Sequence, residues 1–64
     1  MISNIELAFI KAGDPIARDP GGYWCRVEDV DRPKRIKVRD TRVGKVFWIR
    51  WDTAREKWRT RPQV

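Results

Sequence analysis

Residues 35–52 read RIKVRDTRVGKVFWIRWD and decide the fold class. Apolar side chains occupy every second position of the segments 35–41 and 45–52, with arginine, lysine or tryptophan at most of the positions between them. Because successive side chains of a strand point to opposite faces, each segment is predicted to be a strand with one buried and one exposed face. A Val-Gly pair at 43–44 predicts the turn that joins them.

Two more strands are predicted before this stretch. Asp-Pro-Gly-Gly at 19–22 is a strong turn signal, because proline presets one central φ and glycine accepts the positive φ that follows. The turn would join a short strand over 15–18 to a longer one over 23–30, and Asp-Arg-Pro at 31–33 then breaks the chain. Short strands at this spacing predict a mainly β fold, an antiparallel meander or small barrel of four to five strands.

The first residues predict a short N-terminal helix over about 4–12. Ser3 followed three residues later by Glu6 fits a capping box, and Gly13 would follow the helix end. Four apolar residues at helical spacing share one face that would cover the core: Ile5, Ala8, Phe9 and Ala12. The competing interpretation is an edge strand over 5–10, and we favour the helix.

The segment after residue 52 allows two interpretations. Thr-Ala-Arg-Glu at 53–56 matches a second capping box, which would begin a helix of about two turns ending at Pro62. Alternatively, 52–57 is a hairpin loop and 58–61 is a closing strand. Because so short a helix contributes little alone, we favour the hairpin.

Length and composition limit the possible classes of protein. A chain of 64 residues forms one domain, 1–64, with a small core. The single cysteine cannot form an intramolecular disulfide, and without histidine the usual zinc ligand sets cannot be assembled, so we expect a reducing, cytoplasmic setting. Acidic residues interrupt the apolar N-terminal stretch and no basic segment precedes it, so neither a signal peptide nor a membrane span is expected, and the chain is expected to be soluble and complete.

Charge is divided near the middle of the chain. Residues 1–31 carry three basic and six acidic residues, whereas residues 32–64 carry twelve basic and three acidic residues and three of the four tryptophans. Positive charge interleaved with large aromatic side chains is typical of a surface that neutralises phosphates and stacks on bases. No pattern indicates a reaction, a cofactor or a metal site, so we expect a binding protein and not an enzyme.

Strand alternation assigns these side chains to two faces. The predicted core comprises Tyr23, Cys25, Val27, Ile36, Val38, Phe47, Ile49, Trp51 and Trp58, roofed by Ile5 and Phe9. The opposite face collects the predicted nucleic-acid-binding residues Trp24, Arg26, Arg35, Lys37, Arg39, Trp48, Arg50, Lys57, Arg59 and Arg61. Its basic rows would make affinity depend strongly on salt, and Trp24 and Trp48 would be its stacking platforms.

Other interpretations of the same residues stay open. A basic row on a strand can be a solvated face that guards against aggregation, and the two tryptophans can cover a second small core. Glu28, Asp40 and Asp52 can pair with neighbouring arginines and reduce the free positive charge. The acidic group around residues 28–31 has no partner ligand at a recognisable spacing, and Cys25 is expected to be a buried thiol and not a nucleophile.

Part of the sequence resembles the SH3-like small barrels of the Tudor and related groups. The resemblance rests on GDPIAR at 13–18, GYWCRV at 22–27 and IKVRD at 36–40, which match an opening Gly-Asp, an aromatic pair in the second strand and a V-x-V-type third strand. It implies a small barrel that binds nucleic acid, peptides or modified side chains. The residues that would build an aromatic cage for methyl-lysine cannot be matched one by one.

Residues 36–58 also resemble the three-stranded-sheet DNA-binding domains of plant ethylene-response factors and of phage integrases, which bind arm sites. Two strands around a glycine turn, followed by WDTARE at 51–56, carry this similarity. It implies DNA contacts from the exposed sheet through Arg26, Arg39, Trp48 and Arg50. The long helix that follows the sheet in those domains is missing here, because Pro62 and the chain end intervene.

The sequence therefore favours a small, basic, non-catalytic protein that binds DNA or RNA through an exposed sheet face. The alternative is a protein-interaction module, such as a phage, plasmid or bacterial accessory or inhibitor protein, that docks on an acidic partner. Aromatic and arginine side chains are enriched in both kinds of interface. No membrane partner is expected, and the pattern does not specify an oligomeric state.

Overall fold

A computed structural model describes residues 1–60 of the chain, which form a curled antiparallel sheet with two short helices. The elements follow one another as α1 (Asn4–Phe9), β1 (Pro15–Arg18), β2 (Trp24–Asp31), β3 (Arg35–Asp40), β4 (Lys45–Arg50), α2 (Trp51–Lys57) and β5 (Trp58–Arg59). The predicted mainly β fold with a short N-terminal helix is confirmed. The predicted strand over 15–18 has the bounds of β1, and the other three differ from β2, β3 and β4 by at most two residues at an end.

The five strands pair in the order β4-β3-β2-β1-β5 and form a half-barrel. The first four make a meander, and β5 returns beside β1, where Ala17 pairs with Arg59 and Arg18 pairs with Trp58. This return connection runs through α2, which crosses from the end of β4 to the start of β5. The two edge strands of the sheet are therefore β4 and the two-residue β5.

A β-bulge in β2 changes which of its side chains face outward. Val27 pairs with Val38, but the next paired residue is Asp29, opposite Lys37, so Glu28 is the extra residue of the bulge. A bulge shifts the alternation of a strand by one position. Asp29 and Asp31 consequently lie on the same face as the basic row of β3.

The core lies inside the curl of the sheet. Six of the predicted core residues are buried: Cys25, Val27, Ile36, Val38, Ile49 and Trp58. Phe47 and Trp51 are half-buried and pack against this cluster, and the ring centroids of Phe47 and Trp58 are 6.2 Å apart. The prediction for Tyr23 is wrong, because it precedes β2 in the loop and is 67% exposed.

Helix α1 forms as predicted but buries a different face. The Ser3 hydroxyl accepts a hydrogen bond from the Glu6 backbone N–H, which confirms the capping box. Ile5 and Phe9, however, are 73% and 77% exposed, so they do not roof the core. Leu7 is buried instead, and it lies about 200° around the helix from Ile5 at 3.6 residues per turn.

The buried residues around α1 explain this orientation. Ile2 precedes the N-cap and Leu7 is the fourth helical residue, which are the two positions of a hydrophobic staple. Both belong to the core cluster, together with Ile10. The helix ends at Phe9 because Ile10 already has an extended backbone, three residues earlier than predicted. These two flanking isoleucines therefore anchor the helix in place of its predicted apolar face.

The segment after β4 combines parts of both interpretations. The favoured hairpin loop is wrong, since α2 occupies most of that segment, and the capping box predicted at Thr53 is also wrong because the N-cap is Arg50. The closing strand exists as β5, and its Trp58 is buried as predicted. It pairs with β1, not β4. The predicted helix end at Pro62 lies outside the described residues.

Neither helix in the described part of the chain is long and apolar enough to cross a membrane. The turn predicted at 19–22 is confirmed: Gly21 has a φ of 103°, and the Gly22 N–H donates to the Arg18 carbonyl over 2.8 Å. A Cβ on Gly22 would lie 2.7 Å from the Arg18 Cβ. Only glycine therefore fits this close approach, which holds the loop against β1.

Candidate nucleic-acid interface

The strand register brings most of the predicted binding residues to the outer face of the sheet. Arg26 lies opposite Arg39, and Lys37 lies opposite Trp48, while Arg35 lies opposite Arg50. At the other side of the same face, Trp24 and Arg59 both pair with Ala17. Eight of the ten predicted residues thus share one face: Trp24, Arg26, Arg35, Lys37, Arg39, Trp48, Arg50 and Arg59.

The other two predicted residues are placed differently. Lys57 is exposed but is the last residue of α2, so its prediction as part of an extended outward row is wrong. Arg61 lies outside the described residues. The structure therefore offers the eight sheet residues as the candidate surface, with Lys57 adjacent to it in sequence.

Both tryptophans of this face are partly accessible, and each carries a cation. Trp24 is 37% exposed and Trp48 is 39% exposed. The Arg35 Cζ lies 4.0 Å from the centroid of the Trp48 ring, and the Arg59 Cζ lies 5.1 Å from that of Trp24. A guanidinium at these distances is attracted by the ring face and covers part of it. Part of each ring is thus already occupied by a cation, and Lys37 Nζ also lies 5.8 Å from the centroid of the Trp48 ring.

The arginines around Trp24 are held by hydrogen bonds to uncharged backbone carbonyls. Arg59 donates to the carbonyls of Arg18 and Gly22 over 2.7 and 3.3 Å, and Arg26 donates to the Gly13 carbonyl over 3.0 Å. A carbonyl fixes a guanidinium without cancelling its charge. We call Trp24, Arg26 and Arg59 the Trp24 corner, and within residues 1–60 neither of its arginines forms an ion pair.

The Trp24 side chain also has a structural task. Ala17 lies between Trp24 and Arg59 on the outer face, yet it is fully buried. Its neighbours on both sides must therefore cover it. The alternative that tryptophan covers a second small core therefore stays open for Trp24.

The opposite corner of the face consists of Trp48, Arg35, Lys37 and Arg50, which we call the Trp48 corner. Its arginines are paired with carboxylates: Arg35 Nε lies 3.3 Å from Asp31 Oδ2, and Arg50 Nε lies 3.7 Å from Asp52 Oδ1. Lys37 lies opposite Asp29 across the ladder. The positive charge of this corner is therefore largely balanced locally.

Between the two corners, Arg39 and Glu28 form a bidentate ion pair. The Nε and Nη2 atoms of Arg39 each donate to a Glu28 carboxylate oxygen over 2.9 Å. These hydrogen bonds are the main reason why the pKa of Glu28 is lowered, and they raise the pKa of Arg39. The bulge at Glu28 brings this carboxylate to Arg39, so the predicted pairing of Glu28 with an arginine is confirmed. Asp40 and Asp52 also pair as predicted, with Arg42 and Arg50.

Two features of this face were missed from sequence. Tyr23 stacks with Arg42, whose Cζ lies 3.9 Å from the ring centroid, beside the Trp24 corner in sequence. Its position directly after two glycines was a signal that Tyr23 belongs to the loop. The outward orientation of Asp29 and Asp31 depends on the bulge, and no local residue pattern indicates that bulge.

The remaining reactive groups give no sign of a second site. Cys25 is buried as predicted, and burial raises the pKa of its thiol. Among residues 1–60 no group of three or more histidine, cysteine, aspartate or glutamate side chains is placed to hold a metal ion. Comparison of the chain with models of protein families, with curated proteins and with solved structures finds no match.

Proposed function

We propose that this protein binds nucleic acid through the outer face of its sheet and that the Trp24 corner is the centre of the contact. The observation that carries the proposal is that Trp24 lies beside two arginines whose charge is not neutralised by any carboxylate in the described chain. Arginines held in place by carbonyl oxygens keep their positive charge for a phosphate.

The chemistry of such a contact has two parts. Arg26 and Arg59 would neutralise backbone phosphates, and each phosphate contact adds about 0.7 to 0.9 to the slope of log affinity against log salt. The exposed part of the Trp24 ring would stack on a base, which contributes about 1 to 3 kcal/mol and requires that the base be unpaired. The proposal therefore favours single-stranded DNA or RNA over duplex DNA.

The fold supports this proposal without specifying it. Five antiparallel strands in a half-barrel, with a short helix between the fourth and fifth, support an SH3-like barrel of the Tudor-type pattern as the fold group. The buried thiol of the single cysteine supports a reducing, cytoplasmic location. The chain would act by binding alone, as a small accessory protein.

A titration tests the proposal directly. Single-stranded DNA and RNA of about twelve nucleotides, and a duplex of equal length, are added while tryptophan fluorescence is followed at low and at moderate salt. We expect quenching by the single strands, weaker binding of the duplex and a loss of affinity as salt rises. Absence of binding to all three at low salt would overturn the proposal.

A further inference from the structure

Strand β4 is the end strand of the sheet, and one side of its backbone has no partner in the described chain. The Trp51 N–H donates to the Lys34 carbonyl over 2.9 Å, which fixes the alternation of the β3–β4 ladder. Ile36–Ile49 and Val38–Phe47 are consequently the hydrogen-bonded pairs. The backbone groups of the residues between them, Val46, Trp48 and Arg50, point away from β3 toward the open edge.

This edge differs from the other end of the sheet. Strand β4 has six residues, contains neither proline nor glycine and makes no described pairing except with β3, whereas β5 has two residues. Open edges of this length are usually shortened, bulged or covered. The Lys45 and Arg50 side chains at the two ends of β4 are the only guards that the strand itself carries.

We propose that the open edge of β4 binds an extended acidic segment of a partner protein by strand addition. In this mode the backbone of the added strand bonds to the edge, and its alternate side chains meet the two faces of the sheet. One set would lie beside Val46, Trp48 and Arg50 on the outer face. The other would lie beside Phe47, which is half-buried and packs against Trp58.

Charge indicates which kind of segment would bind the open edge of β4. The edge begins with Lys45, which forms no ion pair within residues 1–60, and ends with Arg50, whose contact with Asp52 is exposed to solvent and 3.7 Å long; the whole chain carries a net charge of +6. A second copy of the chain would bring a matching basic edge against this one, so repulsion opposes self-pairing. A segment that alternates acidic with apolar residues would place carboxylates beside Trp48 and Arg50 and apolar side chains beside Phe47.

The probe is a blocked octapeptide of alternating glutamate and valine, added to the full chain without nucleic acid. Amide hydrogen exchange is followed residue by residue. We expect the amides of Val46, Trp48 and Arg50 to exchange about tenfold more slowly when the peptide is saturating, because strand addition gives them acceptors. The amides of Arg26 and Arg59 should not change.

Two comparisons make the test specific. Val46→Pro removes an outward N–H that does not bond to β3, whereas Val46→Ala keeps it. The proline variant should therefore lose about tenfold in peptide affinity, and the alanine variant should bind like the original chain. The octapeptide of alternating lysine and valine should bind about tenfold more weakly than its glutamate counterpart. Both variants should bind oligonucleotides like the original chain.

Several results would overturn this proposal. They are unchanged exchange at the β4 amides of the original chain, equal peptide affinity of the two Val46 variants, and peptide contacts confined to the Trp24 corner. Protection of the β4 amides that grows with protein concentration in the absence of peptide would show that the edge binds a second copy instead. None of these results bears on oligonucleotide binding, so the two proposals fail independently.

Discussion

The two corners of the outer face contain the same kinds of side chain but differ in what holds them. At the Trp24 corner, Arg26 and Arg59 donate to backbone carbonyls and keep their charge. At the Trp48 corner, Arg35 and Arg50 face aspartates, and Lys37 lies opposite another. A count of basic residues would rank the Trp48 corner first. The hydrogen-bond partners reverse that order, since they decide how much charge a ligand can use.

The largest expected effect comes from removing charge at one corner and then at the other. The double variant Arg26→Gln and Arg59→Gln should lose about tenfold to a hundredfold in affinity for single-stranded oligonucleotides at about 50 mM salt. The slope of log affinity against log salt should fall by the share of about two phosphate contacts. The matched double variant, Arg35→Gln and Arg50→Gln, should lose about threefold or less. Fluorescence titrations over a series of salt concentrations measure both.

Folding must be checked in the same samples, because Arg59 also bonds to the carbonyls of Arg18 and Gly22. Circular dichroism and thermal unfolding show whether the Trp24-corner variant keeps its sheet. If both double variants lost affinity equally while remaining folded, the distinction between the corners would be wrong and the whole face would act as one surface.

The tryptophans give the next largest effect. Trp24→Leu removes a stacking platform but keeps an apolar side chain beside Ala17, so it should cost about 1.4 kcal/mol of binding free energy, or roughly tenfold in affinity. Trp48→Leu should cost about twofold, because the neighbouring Arg35 and Arg50 are paired with aspartates and attract a phosphate backbone to this ring less strongly. Fluorescence anisotropy of a labelled oligonucleotide measures both variants. A larger loss with Trp48→Leu would reverse the assignment.

These differences also show how far sequence reasoning reaches in this fold. The alternation of Ile36 and Val38 with basic residues predicts β3 and its two faces, because the side-chain period of a strand is a local property. The location of Glu28 in a bulge, by contrast, cannot be predicted from its neighbours in the sequence. It depends on how β2 must shift to pair with β3, and only that shift places Asp29 and Asp31 among the cations.

Helix α1 teaches the same lesson on the core side. Its capping box was readable from Ser3 and Glu6, since a cap involves neighbours in the chain. Which of its faces is buried depends on where Ile2 and Ile10 lead the flanking chain, so Leu7 is buried and Ile5 is exposed. The first four strands and the cap of α1 were therefore predictable, whereas α2, the buried face of α1 and the partners of each charge required the tertiary structure.

A smaller effect should follow from releasing Arg39. Glu28→Gln removes the carboxylate that holds both nitrogen atoms of this guanidinium, so Arg39 becomes available to phosphate. We expect oligonucleotide affinity to rise about threefold and the salt slope to increase by about one contact. Glu56→Gln is the matched control, because it removes the same charge from an exposed residue of α2 that forms no ion pair within residues 1–60. A loss of affinity in Glu28→Gln would mean that the ion pair positions Arg39 for binding.

The smallest effect concerns how the same ion pair responds to pH. The pKa of Glu28 is lower in the folded chain than in the unfolded chain, mainly because Arg39 donates hydrogen bonds to its carboxylate. Protons therefore bind the unfolded state more readily, so the contribution of Glu28 to stability is present at neutral pH and is lost as pH falls through its lowered pKa. Denaturant unfolding between about pH 7 and pH 3 should show the original chain more stable than Glu28→Gln at pH 7, with the difference shrinking toward acid.

The size of that difference is limited because the pair is exposed to solvent, and about 1 M salt should reduce it further at neutral pH. Oligonucleotide binding supplies a second measurement, in which Glu28→Gln and not the original chain has the higher value. Protonation of Glu28 frees Arg39 in the original chain. The difference in affinity between the two chains should therefore shrink as pH falls. A stability difference that stayed constant over the whole pH range would show that the carboxylate does not act through this ion pair. The difference in free charge between the two corners would then have to be explained by Asp29, Asp31 and Asp52 alone.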